Sequence, residues 1–436
     1  MRHVIMRNFR GFDDAHIPLR RVNFLVGENS TGKSSLLSVL SAIANPHFVS
    51  QPNSVISGRL DEYFGGAHES NTFDDLVSAS SADRSFFELG IFDTIDTIGN
   101  FRASLYRFCA DDGSPKLCLY KLFIGNKLIE IDLSGSVAKY RIDECRTIAR
   151  PAEDIRECLR RADSCSSKSK MKDSGVPSEA PLMIILNRVE QNLSFRGERD
   201  LPFGDPLLMH GRLLTSIAPI RSAPQRFYES ISPGYSPEGR HTPVLLRRFL
   251  KSGSDSSKFA ESLRAFGKAS GLFETIFPHS FGDDPRAPFE IVVKLSAAEV
   301  GVKNVGYGVA QALPLIVEFL ADEGRRDFSV QQPEVHLHPR AQAALGGLIY
   351  SVARTGKGFF VETHSDYLID RFRISLSSDK ARSKKPLAQV LFFSRSRDGR
   401  NNIFPIKISP DGSYPSDQPE EFREFFINEQ IKLLGI

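Results

Sequence analysis

Apolar residues recur along this chain with two different periods, and the places where one gives way to the other mark its organisation. Near the N-terminus, His3–Met6 and Val22–Val26 are short apolar runs with β-branched content. They predict strands, and a glycine-containing turn and the helical spacing of LLSVLSAIA follow the second. From about 45 to 82 the sequence turns to Asn, Ser, Gly and Asp, which predicts connecting loops with one short helix around Phe73–Val77. Between 84 and 142 the runs FFELGIFDTI, FRASLYRFCA, KLCLYKLFIG and NKLIEIDLSG are rich in aromatic and β-branched residues. Asp-Asp-Gly-Ser and Gly-Asn turns separate them, so a meander of antiparallel strands is expected. Residues 151–173 start charged and helix-prone and pass into SCSSKSKMKDSG, the composition of an exposed loop. Helical spacing returns over 242–277. From 287 onward strands and helices alternate through PFEIVVKL, GVAQALPLIVEFLAD, FSVQQ, PRAQAALGGLIYSVAR, GFFVET and DYLIDRFRISL, the pattern of a parallel sheet faced by helices.

The expected fold is therefore α/β, with a mixed or parallel sheet flanked by helices and an antiparallel β lobe. Three parts are expected: 1–145, with the β lobe; 146–286, an inserted, mainly helical lobe with a mobile Ser/Lys-rich loop near 163–176; and 287–436, where strand and helix alternate. The 436 residues suffice for two or more domains, and 41% hydrophobic with 25% charged residues is an ordinary globular composition. With 56 Lys+Arg against 53 Asp+Glu the formal charge is only +3, so contact with nucleic acid or a membrane surface would have to come from a local patch. The five cysteines (Cys109, Cys118, Cys145, Cys158, Cys165) show no CxxC spacing, and their odd number favours reduced thiols in a cytoplasmic protein over a disulfide framework. The opening MRHVIMRNFRGF reaches charge too early for a signal peptide, and no apolar run approaches the roughly 20 residues of a membrane helix.

The sharpest chemistry lies at Gly27-Glu28-Asn29-Ser30-Thr31-Gly32-Lys33-Ser34, which matches G-x-x-x-x-G-K-[ST] between a predicted strand and a predicted helix. Glycines let the chain curl so that the N–H groups of Asn29, Ser30, Thr31, Gly32, Lys33, Ser34 and Ser35 can point at phosphate oxygens, and the helix N-terminus adds partial positive charge. Lys33 is expected on the β- and γ-phosphates of ATP, and the Ser34 hydroxyl on Mg2+. The bland alternative is a chance Gly-Lys-Ser turn, against which the strand-helix setting argues.

Four segments in order, NFRGF, VGYGVAQALP (Val305–Pro314), QQPEVHLHP (Gln331–Pro339) and VETHSD (Val361–Asp366), resemble the motif set of ABC/SMC-head ATPases, in particular the branch of OLD-family ATPase domains and RecF-like proteins. The resemblance covers about 1–44 and 300–375, and it implies an ABC-type P-loop head. By it, Gly306, Tyr307, Gly308 and Gln311 are the signature motif that reaches the γ-phosphate held by the partner of a head-to-tail dimer. Taken alone, GYG reads equally well as a tight turn before a core helix. Gln331 and Gln332 then occupy the positions where the family carries an acid for magnesium's water shell and commonly a second acid for the attacking water. Glutamine cannot act as a base and binds magnesium weakly. Glu334 is the nearest acid; it could activate water or merely cap the next helix. His364 stands at the family's switch histidine, and Arg10 is a candidate nucleotide contact with a surface arginine as its alternative. His336 and His338 lack the partners of a metal site and suit a dimer interface better. Arg221 and Arg226, in SIAPIRSAPQRFYE, have no sharp role. The basic runs Lys168–Lys172 and Lys380–Lys385 read more readily as solvated loops than as nucleic-acid contacts.

The resemblance implies an ATP- and Mg2+-dependent ATPase that works as a homodimer or higher homo-oligomer. The tail after His364 is too short for an appended nuclease, and no TOPRIM-like acidic set follows the core. The expectation is a separate effector, a nuclease, as with the ATPase subunit PtuA of Septu-type anti-phage systems. Two alternatives stay open: a RecF-like repair or replication ATPase that binds DNA directly, and a nucleotide-locked scaffold that does not hydrolyse.

Overall fold

The computed structural model describes residues 2–59, 71–94, 101–124, 127–144, 169–194, 213–231, 234–251, 255–284, 286–321, 326–380 and 386–425. Strand β1 (Arg2–Phe9) and strand β2 (Phe12–Leu19) form a hairpin that leads into β3 (Val22–Gly27), all six residues of which are buried. The side chains of β3 divide by parity: Val22, Phe24 and Val26 enter one core and Leu25 another, as a strand covered on both faces requires.

Five antiparallel strands follow, β4 (Phe86–Thr94), β5 (Phe101–Asp111), β6 (Ser114–Ile124), β7 (Lys127–Asp132) and β8 (Val137–Glu144), then β9 (Lys172–Pro177). With the first hairpin they make an eight-stranded sheet in the order β2-β1-β4-β5-β6-β7-β8-β9, the expected meander. Its inner face packs with the helix Lys33–Ala44, whose Leu36, Leu37, Val39, Leu40 and Ile43 join Met6, Leu89, Tyr106 and Tyr120 in one core. Burying such side chains contributes about 1.5–3 kcal/mol each, which fixes the helix that starts at the phosphate loop.

The second sheet has the order β10-β14-β15-β3-β16-β17. Strands β10 (Leu213–Ile217), β14 (Arg326–Gln331), β15 (Gly358–Glu362) and β16 (Ala388–Arg395) run parallel with β3, and β17 (Asn401–Ile408) closes the edge antiparallel. Its other face carries the helices Tyr307–Leu320, Pro339–Arg354 and Asp366–Ser378 over the second core. A small antiparallel sheet of β11 (Thr275–Ser280), β12 (Phe289–Leu295) and β13 (Ala298–Gly301) borders the helices Thr242–Lys251 and Asp255–Ser270. The molecule is thus α/β, with a mixed sheet, an antiparallel lobe and a helical lobe. Among the described residues no helix is long and apolar enough to cross a membrane.

Four expectations change. The stretch 146–286 is not one helical lobe: among the described residues β9 and the helix Leu182–Ser194 complete the β lobe, β10 joins the parallel sheet, and the helices Thr242–Lys251 and Asp255–Ser270 form the helical part. The Ser/Lys-rich loop near 163–176 lies outside the described residues up to 168 and then becomes β9. Residues 45–82 hold a second helix, Pro52–Arg59, whose mark in the sequence is a proline at its first position. Finally, Cys109 and Cys118 are joined as a disulfide, contrary to the expectation of reduced thiols; Cys145, Cys158 and Cys165 lie outside the described residues. The register of β5 on β6 shifts between Arg107 and Phe108, leaving Cys118 as the extra residue of a bulge, and the two Cα atoms lie 5.9 Å apart.

Candidate functional site

The loop between β3 and the helix Lys33–Ala44 opens into a cavity of about 460 Å3. Its path depends on two glycines. A Cβ on Gly27 (φ 148°) would lie 2.1 Å from the Phe393 carbonyl oxygen, and one on Gly32 (φ 94°) would lie 2.4 Å from the Phe12 ring. Gly32 provides no side-chain cap and the first helical turn has no acid, so the leading N–H groups stay available for an anion. Asn29, Ser30, Gly32, Lys33, Ser34 and Ser35 all line the cavity, while Thr31 is buried and donates its hydroxyl to the Glu28 carbonyl at 2.7 Å.

Lys33 is 3% exposed and donates to the carbonyls of Gly27 (2.9 Å) and Glu28 (2.7 Å). Burial pulls its pKa down, and Glu362 and Glu28 partly restore it. Ser34 donates its hydroxyl to Glu362 Oε2 at 3.3 Å. Glu362 ends β15, lines the cavity and is 7% exposed; burial raises its pKa, Lys33 and Ser34 lower it, and Glu334 raises it again.

Gln331 ends β14, the strand beyond β15, and stands in register with Glu362. It is buried and does not line the cavity; its carbonyl accepts from Arg221 at 3.5 Å. Gln332 does line the cavity, in a left-handed conformation (φ 41°), and its N–H donates to the Glu362 carbonyl at 2.8 Å. Glu334 accepts the His364 N–H at 2.7 Å through Oε1, and its buried Oε2 meets no protein hydrogen-bond partner. Burial raises its pKa, against the His364 N–H and the Arg221 charge. The cap of the helix Pro339–Arg354 is His338, which accepts the Ala341 N–H, so Glu334 is not that helix's cap. Burial and the nearby Lys33 charge depress His364, keeping its imidazole neutral at pH 7. Arg221, 2% exposed, is pulled down to about 10 by burial and held up by Glu334.

Arg10 reaches the cavity from the β1–β2 turn, at φ 49° with its N–H on the Leu76 carbonyl. The signature-like residues lie elsewhere: none of Gly306, Tyr307, Gly308 and Gln311 lines this cavity. Gln311 is 1% exposed and donates to the Arg221 carbonyl at 3.4 Å, so its side chain is spent on packing and a direct ligand contact from it is not available. Tyr307 is half exposed and meets the His336 ring edge-on at 4.7 Å, while a Cβ on Gly308 would press on the His336 carbonyl at 2.9 Å. These contacts tie the GYG turn to the loop after β14.

Sequence reasoning missed Glu362, Arg395 and Asn401. Glu362 had a signal, a charge closing the apolar strand GFFVE. Arg395, which donates to the Ser30 carbonyl, and Asn401 come from the β16–β17 edge and had none. A magnesium ion fits this donor set, because it needs only one or two protein oxygens beside phosphates and water. Ser34 and a carboxylate supply them, and among the described residues no group of three or more His, Cys, Asp or Glu forms a cage of its own.

A phosphate loop at the C-terminal end of a central parallel strand, running into a helix, defines a P-loop nucleotide-binding fold. Residues 1–98 match the family described as AAA ATPase domain, and residues 183–370 match the one described as AAA domain, putative AbiEii toxin, Type IV TA system. The first match contains the phosphate loop and the second contains Glu334 and His364, so both halves of the site lie in segments similar to AAA-type domains. No curated protein matches the chain. Among solved structures, the Smc head bound to the C-winged helix domain of ScpA is 13% identical, covering 93% of this chain and 97% of that one at a TM-score of 0.45. The Smc head with an extended coiled coil bound to the C-terminal domain of ScpA, from Pyrococcus furiosus, is 13% identical, with 99% and 100% covered and a TM-score of 0.42. The SMC head domain from Thermotoga maritima is 12% identical, with 92% and 97% covered and a TM-score of 0.37. Likeness at this level identifies neither activity nor partner.

Proposed function

We propose that this protein binds ATP with Mg2+ in the Gly27–Ser35 loop and hydrolyses it, acting as a dimer whose nucleotide state controls a separate effector, a nuclease, in anti-phage defence. The observation that carries the catalytic part is the convergence of Lys33, Ser34 and Glu362 on one cavity, with Glu334, held by the His364 backbone, acting electrostatically on Glu362 although it does not line the cavity. Lys33 would exchange two loop carbonyls for phosphate oxygens. Magnesium, held from Ser34 and a carboxylate, would neutralise phosphate charge. Glu334 would accept a proton from water, a role supported by its buried, unpartnered Oε2, and neutral His364 would donate to the γ-phosphate.

The dimer is supported by Gly306. Its backbone is not left-handed, and a Cβ there would meet nothing within 4 Å, so nothing inside the protomer requires a glycine. A surface approaching from a second protomer would. The effector and the defence role follow from the family resemblance alone. A second reading, a nucleotide-locked scaffold, is favoured by Gln331 and Gln332 in place of acids. Chromatography of bound nucleotide together with phosphate release, in wild type and Lys33→Ala, tests the proposal. Lysine-dependent turnover supports hydrolysis; ATP binding without turnover under any partner condition leaves the scaffold; no binding of ATP or ADP by wild type defeats both.

A further inference from the structure

Resting on the nucleotide reading above, we infer that the carboxylate of the metal site has moved by one strand: Glu362 on β15, not the residue at the end of β14, is the acid that accompanies Ser34 in holding the nucleotide's divalent cation. Strand β15 lies between β14 and β3, and Glu362 is paired in register with Gln331 on one side and Leu25 on the other. Residues paired across neighbouring strands sit about 5 Å apart. A carboxylate moved from the Gln331 position to the Glu362 position therefore stays on the same rung and comes closer to the phosphate loop. The contacts follow that geometry: Glu362 Oε2 accepts from the Ser34 hydroxyl and lines the cavity, whereas Gln331 is buried, does not line it, and presents its carbonyl to Arg221.

Charge gives a second, independent reason. The charged groups acting on Glu362 are Lys33 and Glu334. Lys33 is the cation nearest to hand, and phosphates would draw its ammonium away. Glu362 would then face phosphate oxygens and Glu334 with its main compensating charge drawn off, Arg10 and Arg395 being the other cations that line the cavity, in a buried setting where like charges repel strongly. A divalent cation between Ser34, Glu362 and the phosphates removes that repulsion. Gln331 brings no charge to the rung and leaves Glu362 as its one carboxylate.

The test is metal affinity rather than turnover. Mn2+ binding is measured by electron paramagnetic resonance in the presence of a non-hydrolysable ATP analogue, and analogue binding in EDTA by calorimetry, for wild type, Glu362→Gln and the double variant Gln331→Asp/Glu362→Gln. The expected result is a loss of about 10–100-fold in Mn2+ affinity for Glu362→Gln, the range seen when a group supporting a metal's ligand shell is removed. Analogue binding in EDTA is expected to be unchanged or tighter, since a negative charge near the phosphates is gone. Partial recovery of Mn2+ affinity in the double variant would confirm that one carboxylate per rung is what matters. Mn2+ affinity within twofold of wild type in Glu362→Gln overturns the inference, even if turnover is lost, since Glu362 would then act on water or on fold. A wild type that binds no analogue in EDTA or with Mn2+ overturns the nucleotide reading instead.

Discussion

Replacing Lys33 by alanine should do two separable things, because the lysine also bonds within its own loop. Its ammonium donates to the carbonyls of Gly27 and Glu28 while nearly buried. Removing it leaves two acceptors short of a partner, at a cost of about 1–2 kcal/mol given that the loop can admit water. In a chain of this length that lowers Tm by about 1–3 °C. On ATP binding the ammonium trades these carbonyls for phosphate oxygens. The charge–charge attraction gained, about 4 kcal/mol at an effective dielectric near 20, is offset by the two bonds released and by the distance kept from Glu362. A net contribution of about 2–3 kcal/mol remains, or about 30–150-fold in Kd. Calorimetric titration of ATP at fixed Mg2+, with a thermal melt of the nucleotide-free protein, reads both quantities, and Lys33→Met serves as a variant that keeps the aliphatic stem. Binding of ATP by Lys33→Ala within threefold of wild type would refute the assignment of this loop to phosphate. An unchanged melt with weakened binding would refute only the role of the Lys33 bonds to the Gly27 and Glu28 carbonyls.

Three further predictions follow from contacts elsewhere. Gly306→Glu should leave the melt of the protomer within about 1 °C of wild type, since its side chain enters open space, yet abolish ATP-dependent dimerisation seen by sedimentation; Gly308→Ala should instead lower stability by pressing on the His336 carbonyl. In Gly346→Ala the new Cβ falls 2.0 Å from the Leu368 carbonyl, forcing apart the helices Pro339–Arg354 and Asp366–Ser378 at a cost of about 1–3 kcal/mol. Because the second helix begins two residues after His364, ATP binding should persist while turnover falls, as a comparison of Kd with phosphate release will show. His3, packed edge-on against Phe92 with its Nδ1 unpartnered, is pushed by burial from 6.5 to about 4, further helped by the N-terminus, His16 and Arg20. A depressed folded value means that its stabilising contribution is full above pH 6.5 and is lost as pH falls towards 4, up to about 3 kcal/mol. Urea midpoints between pH 7 and 4 should fall more steeply in wild type than in His3→Phe.

What could be read from the sequence was whatever chemistry is local. The phosphate loop was legible because its glycines, Lys33 and Ser34 are consecutive, and a backbone curl followed by a helix needs no distant partner. The β lobe was legible because alternation over 84–142 repeats the same signal strand after strand. Strand β10 was not: LLTSI is five residues long, and its place is set by parallel pairing with β14 more than 100 residues away. The helix Pro52–Arg59 has little apolar spacing to announce it. The Cys109–Cys118 pair depends on a bulge, which shifts register without altering composition. Glu362 sat inside a quoted motif and still escaped notice, because its meaning comes from which strand lies next to β3.

That neighbour relation also bears on the choice between hydrolysis and a locked scaffold. Two glutamines at the end of β14 and the turn beyond it argue for a site that binds and does not cut. Yet two carboxylates, Glu362 and Glu334, stand within interaction range of each other beneath the phosphate loop, and burial raises the pKa of both. Such a pair costs stability, since each charge is desolvated and each repels the other. A site meant only to retain nucleotide would gain from an amide in place of one of them. Keeping both carboxylates, one against the Ser34 hydroxyl and one against the His364 backbone with an oxygen to spare, favours a site that still needs one acid for the metal and another for water.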